Sequence, residues 1–483
     1  MRLKLQEFFL DNNINGISFD SRKIKPGDAF FAIRGEDFDG NDYIDNVLER
    51  GVSVVFTDNP SKQRDRVIYI EDARMGLALA AGILYQKKPE NIVAVTGTNG
   101  KSSVVSYVHQ ILAFLGKTSA SMGTLGVEST QKLPKETVLP DRQSILTTVD
   151  PINFRKILHA LAESGIQNVA FEASSHGLYQ RRLGDIKVKT AAFVSFSQEH
   201  LEYHQTMESY LHAKLILFTE NLLHGGEAVI NSEIMFFDFI KKFLIEKQIK
   251  YSSVGKNGDL LIKKCKSSIE GQEIACEFMN KKYEFNTDII GSFQATNILI
   301  AAKLVYNLGI DFDTIINILP NLKAVRGRLQ RITESDDEFQ VFVDYAHTPD
   351  ALKRSLLELQ EIKNKTGKLY VVFGCGGDRD TMKRPMMGKI ASDIADYVII
   401  TDDNPRTEDP RKIRSEIAEG AIDAEEVEDR KSAIVGTIAR LKRDDILLIA
   451  GKGHEDYQII GREITKFSDI EVASNALQKL VAD

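Results

Sequence analysis

The chain has 483 residues, more than a single hydrophobic core can organise, so several domains of roughly 100–200 residues each are expected. Its 43% hydrophobic and 27% charged residues exclude a disordered chain, and a net charge of −7, from 62 basic and 69 acidic residues, argues against non-specific nucleic-acid binding. Cys265, Cys276 and Cys375 form no CxxC pair and no metal-ligand cluster, as expected in a reducing compartment.

The start, Met1-Arg2-Leu3-Lys4-Leu5, does not read as a signal peptide, and the apolar stretch Leu77–Tyr85 is far too short for a membrane span. A soluble, cytoplasmic protein is expected, a monomer that neither inserts into a membrane nor binds nucleic acid.

Residues 1–88 mix short strand-like runs (Ala29–Ile33, Val52–Thr57, Val67–Ile70) with helical stretches, and the polar Lys87-Lys88-Pro89-Glu90-Asn91 reads as a linker. Ile92-Val93-Ala94-Val95 is then a continuous apolar run of the buried parallel-strand kind. A glycine-rich turn follows, and Val104, Val108, Ile111, Leu112 and Leu115 fall at helical spacing up to Gly116. The alternation recurs: strands at Val169–Glu172 and Ala191–Phe196, a helix over Tyr210–Leu222, then strands at Val341–Val343, Leu369–Phe373, Tyr397–Thr401 and Ile446–Ala450. Strand–helix alternation of this kind predicts α/β domains with largely parallel sheets. Pro320 and Gly327 interrupt the pattern and place a second boundary near 321–328.

Thr96-Gly97-Thr98-Asn99-Gly100-Lys101-Ser102-Ser103 lies between a strand and a helix. Small residues let backbone N–H groups converge on phosphate oxygens, and the helix N-terminus adds its positive dipole. Lys101 supplies a full charge at the β/γ-phosphates, and Ser102 can place a hydroxyl on Mg²⁺. Val95 stands where the common GxxxxGK[ST] form has its first glycine, so the loop is a shortened variant. It predicts ATP or GTP binding but does not separate a kinase, a nucleotide switch and a ligase.

Further segments narrow the choice: Asp20-Ser21-Arg22, Leu146-Thr147-Thr148, Phe171-Glu172-Ala173-Ser174-Ser175-His176-Gly177-Leu178, and Glu199-His200-Leu201-Glu202-Tyr203-His204. Later come Asp344-Tyr345-Ala346-His347-Thr348-Pro349-Asp350, Gly376-Gly377-Asp378-Arg379-Asp380, Asp403-Asn404-Pro405-Arg406 and Gly451-Lys452-Gly453-His454-Glu455. In this order they resemble the Mur ligase family, and within it the ligases that add the third residue of the peptidoglycan stem peptide. The resemblance implies three α/β domains: a small UDP-sugar-binding domain (1–88), a central P-loop ATPase domain with a mainly parallel sheet (89–322) and a C-terminal Rossmann-like domain (323–483).

The chemistry so implied is an ATP- and Mg²⁺-dependent ligation through an acyl phosphate. The attacking carboxylate and the γ-phosphate are both anionic, so cations must neutralise them and hold them in line. Lys101, Glu172, His200 and Lys214 are the implied catalytic group, with Ser102, Glu172, His200 and Lys214 around the metal. For the last, the resemblance implies a lysine carbamylated by CO₂, a reaction that needs a neutral amine. Gly97, Thr98, Asn99, Gly100, Lys101, Ser102, Ser103, Asn297, Arg328, Asp344 and His347 match ATP-contacting positions. Ser195, Glu199 and Glu202 depart from the family's usual Asn, Asp and Asp, Gln294 stands where Asn is more usual, and Arg326 where Pro is.

The implied acceptor is UDP-N-acetylmuramoyl-L-alanyl-D-glutamate. Ser21, Glu36, Asp37 and Phe38 would meet its uridine end, and Thr147, Thr148, Ser174, Gln180 and Arg182 the muramoyl dipeptide. The incoming amino acid is read from Arg379, Asp403, Asn404, Pro405, Arg406, Gly451 and Glu455. Meso-diaminopimelate has a distal carboxylate for Arg406 and a distal ammonium for Asp403 and Glu455, which L-lysine does not fully match. L-lysine ligation, folate polyglutamylation and a P-loop binding module are the alternatives.

Overall fold

The computed structural model describes residues 1–35, 38–133 and 146–482, leaving Glu36 and Asp37 of the expected uridine contacts outside the described residues. Three sheets of four or more strands, and one two-stranded hairpin, organise the described residues. The first is parallel and runs in chain order: β1 (Ile17–Ser18), β2 (Ala29–Ala32), β3 (Val54–Thr57) and β4 (Val67–Tyr69). Helix Ala73–Leu84 covers one face, burying Leu77, Ala80 and Leu79 against Phe31 and Phe56.

The central sheet comprises β5 (Asn91–Thr96), β6 (Ser119–Gly123), β7 (Gly126–Ser129), β8 (Asn168–Glu172), β9 (Val188–Phe193), β10 (Leu222–Asn231), β11 (Lys250–Gly255), β12 (Leu260–Ser268), β13 (Gly271–Phe278) and β14 (Lys281–Thr287). Its order is β14-β13-β12-β11-β10-β9-β5-β8-β6-β7, parallel from β6 across to β12. Strand β5 therefore lies between β8 and β9, and the C-terminal ends of all three are neighbours. That is the switch point at which ligands bind in open α/β sheets. Helices Lys101–Phe114 and Ser292–Tyr306 pack together on one face, with Tyr107, Val108, Ile298 and Leu299 fully buried.

Two expected elements end differently. The strand predicted over Ala191–Phe196 stops at Phe193, because Val194–Phe196 turns to meet the phosphate loop: the Val194 amide donates to Thr96 O (2.9 Å) and the Thr98 amide to Ser195 O (3.0 Å). The helix predicted over Tyr210–Leu222 is α-helical at Met207–Ile216, widens to a π-turn at Leu217–Asn221 and becomes β10 at Leu222. The antiparallel β12–β14 meander was not foreseen. Its alternation of Ile274, Cys276 and Phe278 inward is a half-buried strand pattern, and Met279 and Asn280, both at positive φ, form the two-residue turn that suits a tight hairpin.

The third sheet has the order β15 (Gln330–Arg331), β16 (Gln340–Asp344), β20 (Ile446–Ala450), β17 (Leu369–Phe373), β18 (Tyr397–Ile400) and β19 (Glu425–Glu426). Apart from the antiparallel β15 it is parallel, and helices cover both faces, so its inner strands are buried throughout. A hairpin, β21 (Tyr457–Ile460) and β22 (Glu463–Lys466), stands beside it. Among the described residues no helix is long and apolar enough to cross a membrane.

Candidate active site

The phosphate loop leaves β5 and enters helix Lys101–Phe114 through two glycines at positive φ, Gly97 (150°) and Gly100 (84°). A Cβ on Gly97 would lie 2.6 Å from Val194 Cγ2, and one on Gly100 would lie 2.9 Å from Asn297 Oδ1, so both positions need glycine. Asn297 thus abuts the loop from helix Ser292–Tyr306. Ser195 Oγ accepts from the Asn99 amide and donates to Asn99 O, both at 2.7 Å. At this position a serine hydroxyl clamps the loop by both backbone groups of one residue. Thr98 Oγ1 lies 3.1 Å from Tyr210 Oη and accepts from the Ser197 amide at 3.1 Å, while Ser103 is buried in the first turn of the helix.

Lys101 Nζ donates to Gly97 O (2.9 Å) and Thr98 O (2.7 Å). Lys214, on helix Met207–Ile216, is 1% exposed and also donates to Gly97 O at 2.9 Å, with its amine 4.3 Å from the Tyr210 ring centre. Sequence alone makes Lys214 an ordinary solvated helical lysine; in the fold it is buried. Burial, reinforced by Lys101, pushes its pKa well below the usual lysine range, and burial also lowers that of Lys101.

Glu172, the last residue of β8, is 3% exposed and accepts from the Thr124 amide at 2.8 Å. Gly123 makes room for it, since a Cβ there would meet Glu172 Oε1 at 2.2 Å. Ser102, Glu172, His200 and Lys214 all line one cavity of about 810 Å³, which also reaches Arg328 and His347 of the C-terminal sheet's domain. The Ser102 hydroxyl and the Glu172 carboxylate are hard oxygen donors that suit Mg²⁺. Among the described residues no three His, Cys, Asp or Glu side chains converge as a ready-made metal cluster, and the Lys214 amine as it stands is a donor rather than a ligand. Magnesium characteristically retains water and substrate phosphates as ligands, so an open donor set fits it.

His200 sits at positive φ (57°) with Nε2 3.6 Å from Glu199 Oε2 and Nδ1 3.6 Å from Glu202 Oε1. Glu199 also lies 3.8 Å from His347 Nε2 across the cavity. Arg328 Nη2 donates to Ser102 Oγ at 2.9 Å and its guanidinium stacks 4.4 Å from the Tyr345 ring centre. Asp344 is less free than its place at a strand end implies: its carboxylate takes the Leu329 amide (3.0 Å), the Tyr345 amide (2.8 Å) and the Ser355 hydroxyl. In this arrangement it anchors the segment that carries Arg328.

The expected dipeptide-binding residues gather beside Glu172. Thr148 Oγ1 donates to Glu172 O (2.8 Å) and accepts from the Ser174 amide (2.9 Å), and Thr147 receives a hydrogen bond from Thr124 (3.2 Å). Arg182 donates to Gln180 Oε1 (2.7 Å) and to Thr148 O. Ser21 lies in the turn after β1, its carbonyl held by Arg50, and Phe38 is exposed, both on the N-terminal unit.

The remaining expected residues meet at the C-terminal ends of β17, β18 and β20. Asn404 donates to Glu455 Oε2 (2.9 Å) and accepts from the buried Lys452 Nζ (2.8 Å), which is 3.4 Å from Glu455 and 3.7 Å from Asp403. Opposed by burial, the Lys452 charge still holds Asp403 below the usual carboxylate range, whereas burial keeps Glu455 above it. Gly451, at φ 113°, lies against Asp403, and a Cβ there would come within 2.6 Å of its carboxylate. Arg406 Nη1 donates to Gly377 O (2.8 Å) and Arg379 Nη1 to Asp378 O (2.8 Å). Among the described residues neither guanidinium has a carboxylate at ion-pair distance. Thr124, Tyr210 and Lys452 were not singled out as site residues. Lys452 stands within a motif that was; Thr124 lies in the β6–β7 turn, which carries no chemical signature.

The chain matches the models of the Mur ligase family catalytic domain over residues 13–91, the Mur ligase middle domain over 95–305 and the Mur ligase glutamate ligase domain over 327–453. It is 52% identical over 474 residues to the UDP-N-acetylmuramoyl-L-alanyl-D-glutamate--2,6-diaminopimelate ligase of Rickettsia bellii, covering 97% of each chain. The Rickettsia conorii protein of the same name is 50% identical over 481 residues, covering 99% of each. A solved structure of a ligase of that name superposes with a TM-score of 0.67 at 32% identity, covering 97% of this chain and 95% of the other. Matched by all three domain models and by whole-length relatives, the chain belongs to the Mur ligase family.

Proposed function

We propose that this protein joins meso-2,6-diaminopimelate to the D-glutamate carboxylate of UDP-N-acetylmuramoyl-L-alanyl-D-glutamate, consuming ATP through an acyl phosphate. The observation that carries the choice of amino acid is the pair Arg379 and Arg406, two neighbouring guanidinium groups with no carboxylate at ion-pair distance among the described residues, on loops beside the Asp403 and Glu455 carboxylates. A ligand whose far end bears both a carboxylate and an ammonium completes this set; lysine supplies the ammonium alone. The names of the Rickettsia relatives support the same reading.

In this reading Lys101 turns from its loop carbonyls onto the phosphates, and the loop amides hold the nucleotide. Glu172 and Ser102 hold Mg²⁺, which when bound neutralises phosphate charge. Arg328, tied to Ser102, closes over the nucleotide from the C-terminal side. The gathered Thr147, Thr148, Ser174, Gln180 and Arg182 present the dipeptide carboxylate beside Glu172. Carbamylation of Lys214 belongs to the proposal, supported by its burial and by its sharing of one carbonyl with Lys101, both of which favour the neutral amine that CO₂ requires. A carbon-13 NMR carbamate signal from labelled bicarbonate, lost in Lys214→Arg, is its expected signature. Domain limits near 88 and 322 are proposed alongside, each falling between two sheets.

The direct experiment supplies ATP, Mg²⁺ and the UDP-dipeptide with either amino acid. Phosphate release with diaminopimelate and little with L-lysine is expected. Release with L-lysine and little with diaminopimelate would return the lysine ligase as the answer, and none with either would favour a nucleotide-dependent binding module.

A further inference from the structure

The two arginines stand on different loops. Arg379 follows β17 in Gly376–Arg379, and Arg406 follows β18 in Asn404–Glu408. These loops are in backbone contact: a Cβ on Gly377 would lie 1.9 Å from Pro405 O. Asp378 ties them once, its carboxylate accepting from Thr407 Oγ1 (2.7 Å) and the Thr407 amide (3.2 Å). Glu408 ties them again from the other side, accepting the Asp378 amide on Oε1.

Beneath both loops lies Arg384, whose side chain is 0% exposed. It donates to Glu408 Oε1 and Oε2 at 2.9 Å each, to Glu416 at 2.6 Å and to Gly376 O at 3.2 Å. One carboxylate is thus shared between a buried guanidinium and the backbone of the opposite loop. Arg406 meanwhile adopts φ 52°, unfavourable for a residue with a Cβ, and is held there by Ile459 O (3.1 Å to its amide) and the Gly461 amide (2.7 Å to its carbonyl). Two neighbouring guanidinium groups repel, so a rigid bracket is needed to keep both on one ligand group.

We propose that Glu408 is a positioning residue for amino-acid selection: through Arg384 and the Asp378 amide it fixes the spacing of the loops that bear Arg379 and Arg406, so that one ligand carboxylate can engage both. This rests on the reading that diaminopimelate is the substrate. Glu416 provides the control, since it binds the same Arg384 without touching either loop. A role confined to satisfying a buried arginine makes the two glutamates equivalent; a positioning role does not.

The test measures KM for each of the three substrates, kcat and the thermal midpoint in Glu408→Ala, Glu408→Asp and Glu416→Ala. Glu408→Ala should raise KM for diaminopimelate about tenfold, as loss of an aligned charge-assisted contact does. Its kcat and its KM for ATP and UDP-dipeptide should stay within about twofold of the parent enzyme. Glu408→Asp should fall between, and Glu416→Ala should lower the thermal midpoint while leaving all three KM values in place. An unchanged diaminopimelate KM in Glu408→Ala, or the same rise in Glu416→Ala, overturns the proposal. Absence of diaminopimelate turnover by the unaltered enzyme overturns the functional reading first and this one with it.

Discussion

At the phosphate loop, Lys101 and Lys214 share the Gly97 carbonyl and, among the described residues, have no carboxylate at ion-pair distance; in the C-terminal domain, the buried Lys452 lies among Asn404, Glu455 and Asp403. In the first arrangement the Lys101 amine, held by loop carbonyls alone, is left for a polyanion that brings its own charge. The second is internally balanced except at Arg379 and Arg406, which suits a small zwitterion recognised by what it completes. In the proposed reading the two regions divide the work: one supplies charge for phosphoryl transfer, the other chooses the amino acid.

The largest departure from this division should follow Lys101→Met, which removes the mobile charge while keeping length. Ligation should fall on the order of 10³-fold in kcat, as for loss of a donor aimed at developing charge, with diaminopimelate affinity by calorimetry unaltered. Arg406→Ala should do the reverse, lowering discrimination between diaminopimelate and lysine by roughly 10²-fold with ATP affinity retained. A Lys101 variant that lost amino-acid affinity as well would merge the two regions into one.

A smaller effect is expected at their junction. Arg328 both donates to Ser102 and stacks on Tyr345, a combination that a lysine ammonium cannot reproduce, so Arg328→Lys should raise KM for ATP about tenfold. Unchanged nucleotide kinetics would remove Arg328 from the account.

The smallest effect concerns acid stability. Burial, reinforced by neighbouring cations, lowers His347 to about 4 and His454 to about 3. The unfolded chain takes up these protons near pH 6.5, while the folded protein resists them, so more protons are bound on unfolding in between. Stability should be full above about pH 7 and decline as pH falls from about 6.5 toward 4. Urea midpoints at several pH values test this, and a midpoint that rose on acidification would contradict it.

What could be read in advance follows from how each site is assembled. The phosphate loop, Glu172 at the end of β8 and the segment ending in Arg406 are contiguous in sequence; spacing exposes the first, and the family resemblance singles out the other two. Thr124 and Ser195 act through the fold: one reaches Glu172 from the β6–β7 turn, the other exchanges two hydrogen bonds with Asn99 from a loop about a hundred positions away. The burial of Lys214 is likewise a tertiary property, since helix Met207–Ile216 shows only where its side chain stands along the axis. Ser195 also explains why the predicted strand ended early, because its backbone is spent on the phosphate loop rather than on the sheet.

The proposed ligation depends on one step, the transfer of the ATP γ-phosphoryl group to the peptide carboxylate. It is tested most directly by labelling the D-glutamate carboxylates of the UDP-dipeptide with heavy oxygen and analysing the inorganic phosphate after one turnover with diaminopimelate. An acyl phosphate requires one labelled oxygen to leave with the phosphate. Phosphate free of label, with amide formed at the normal rate, would contradict it.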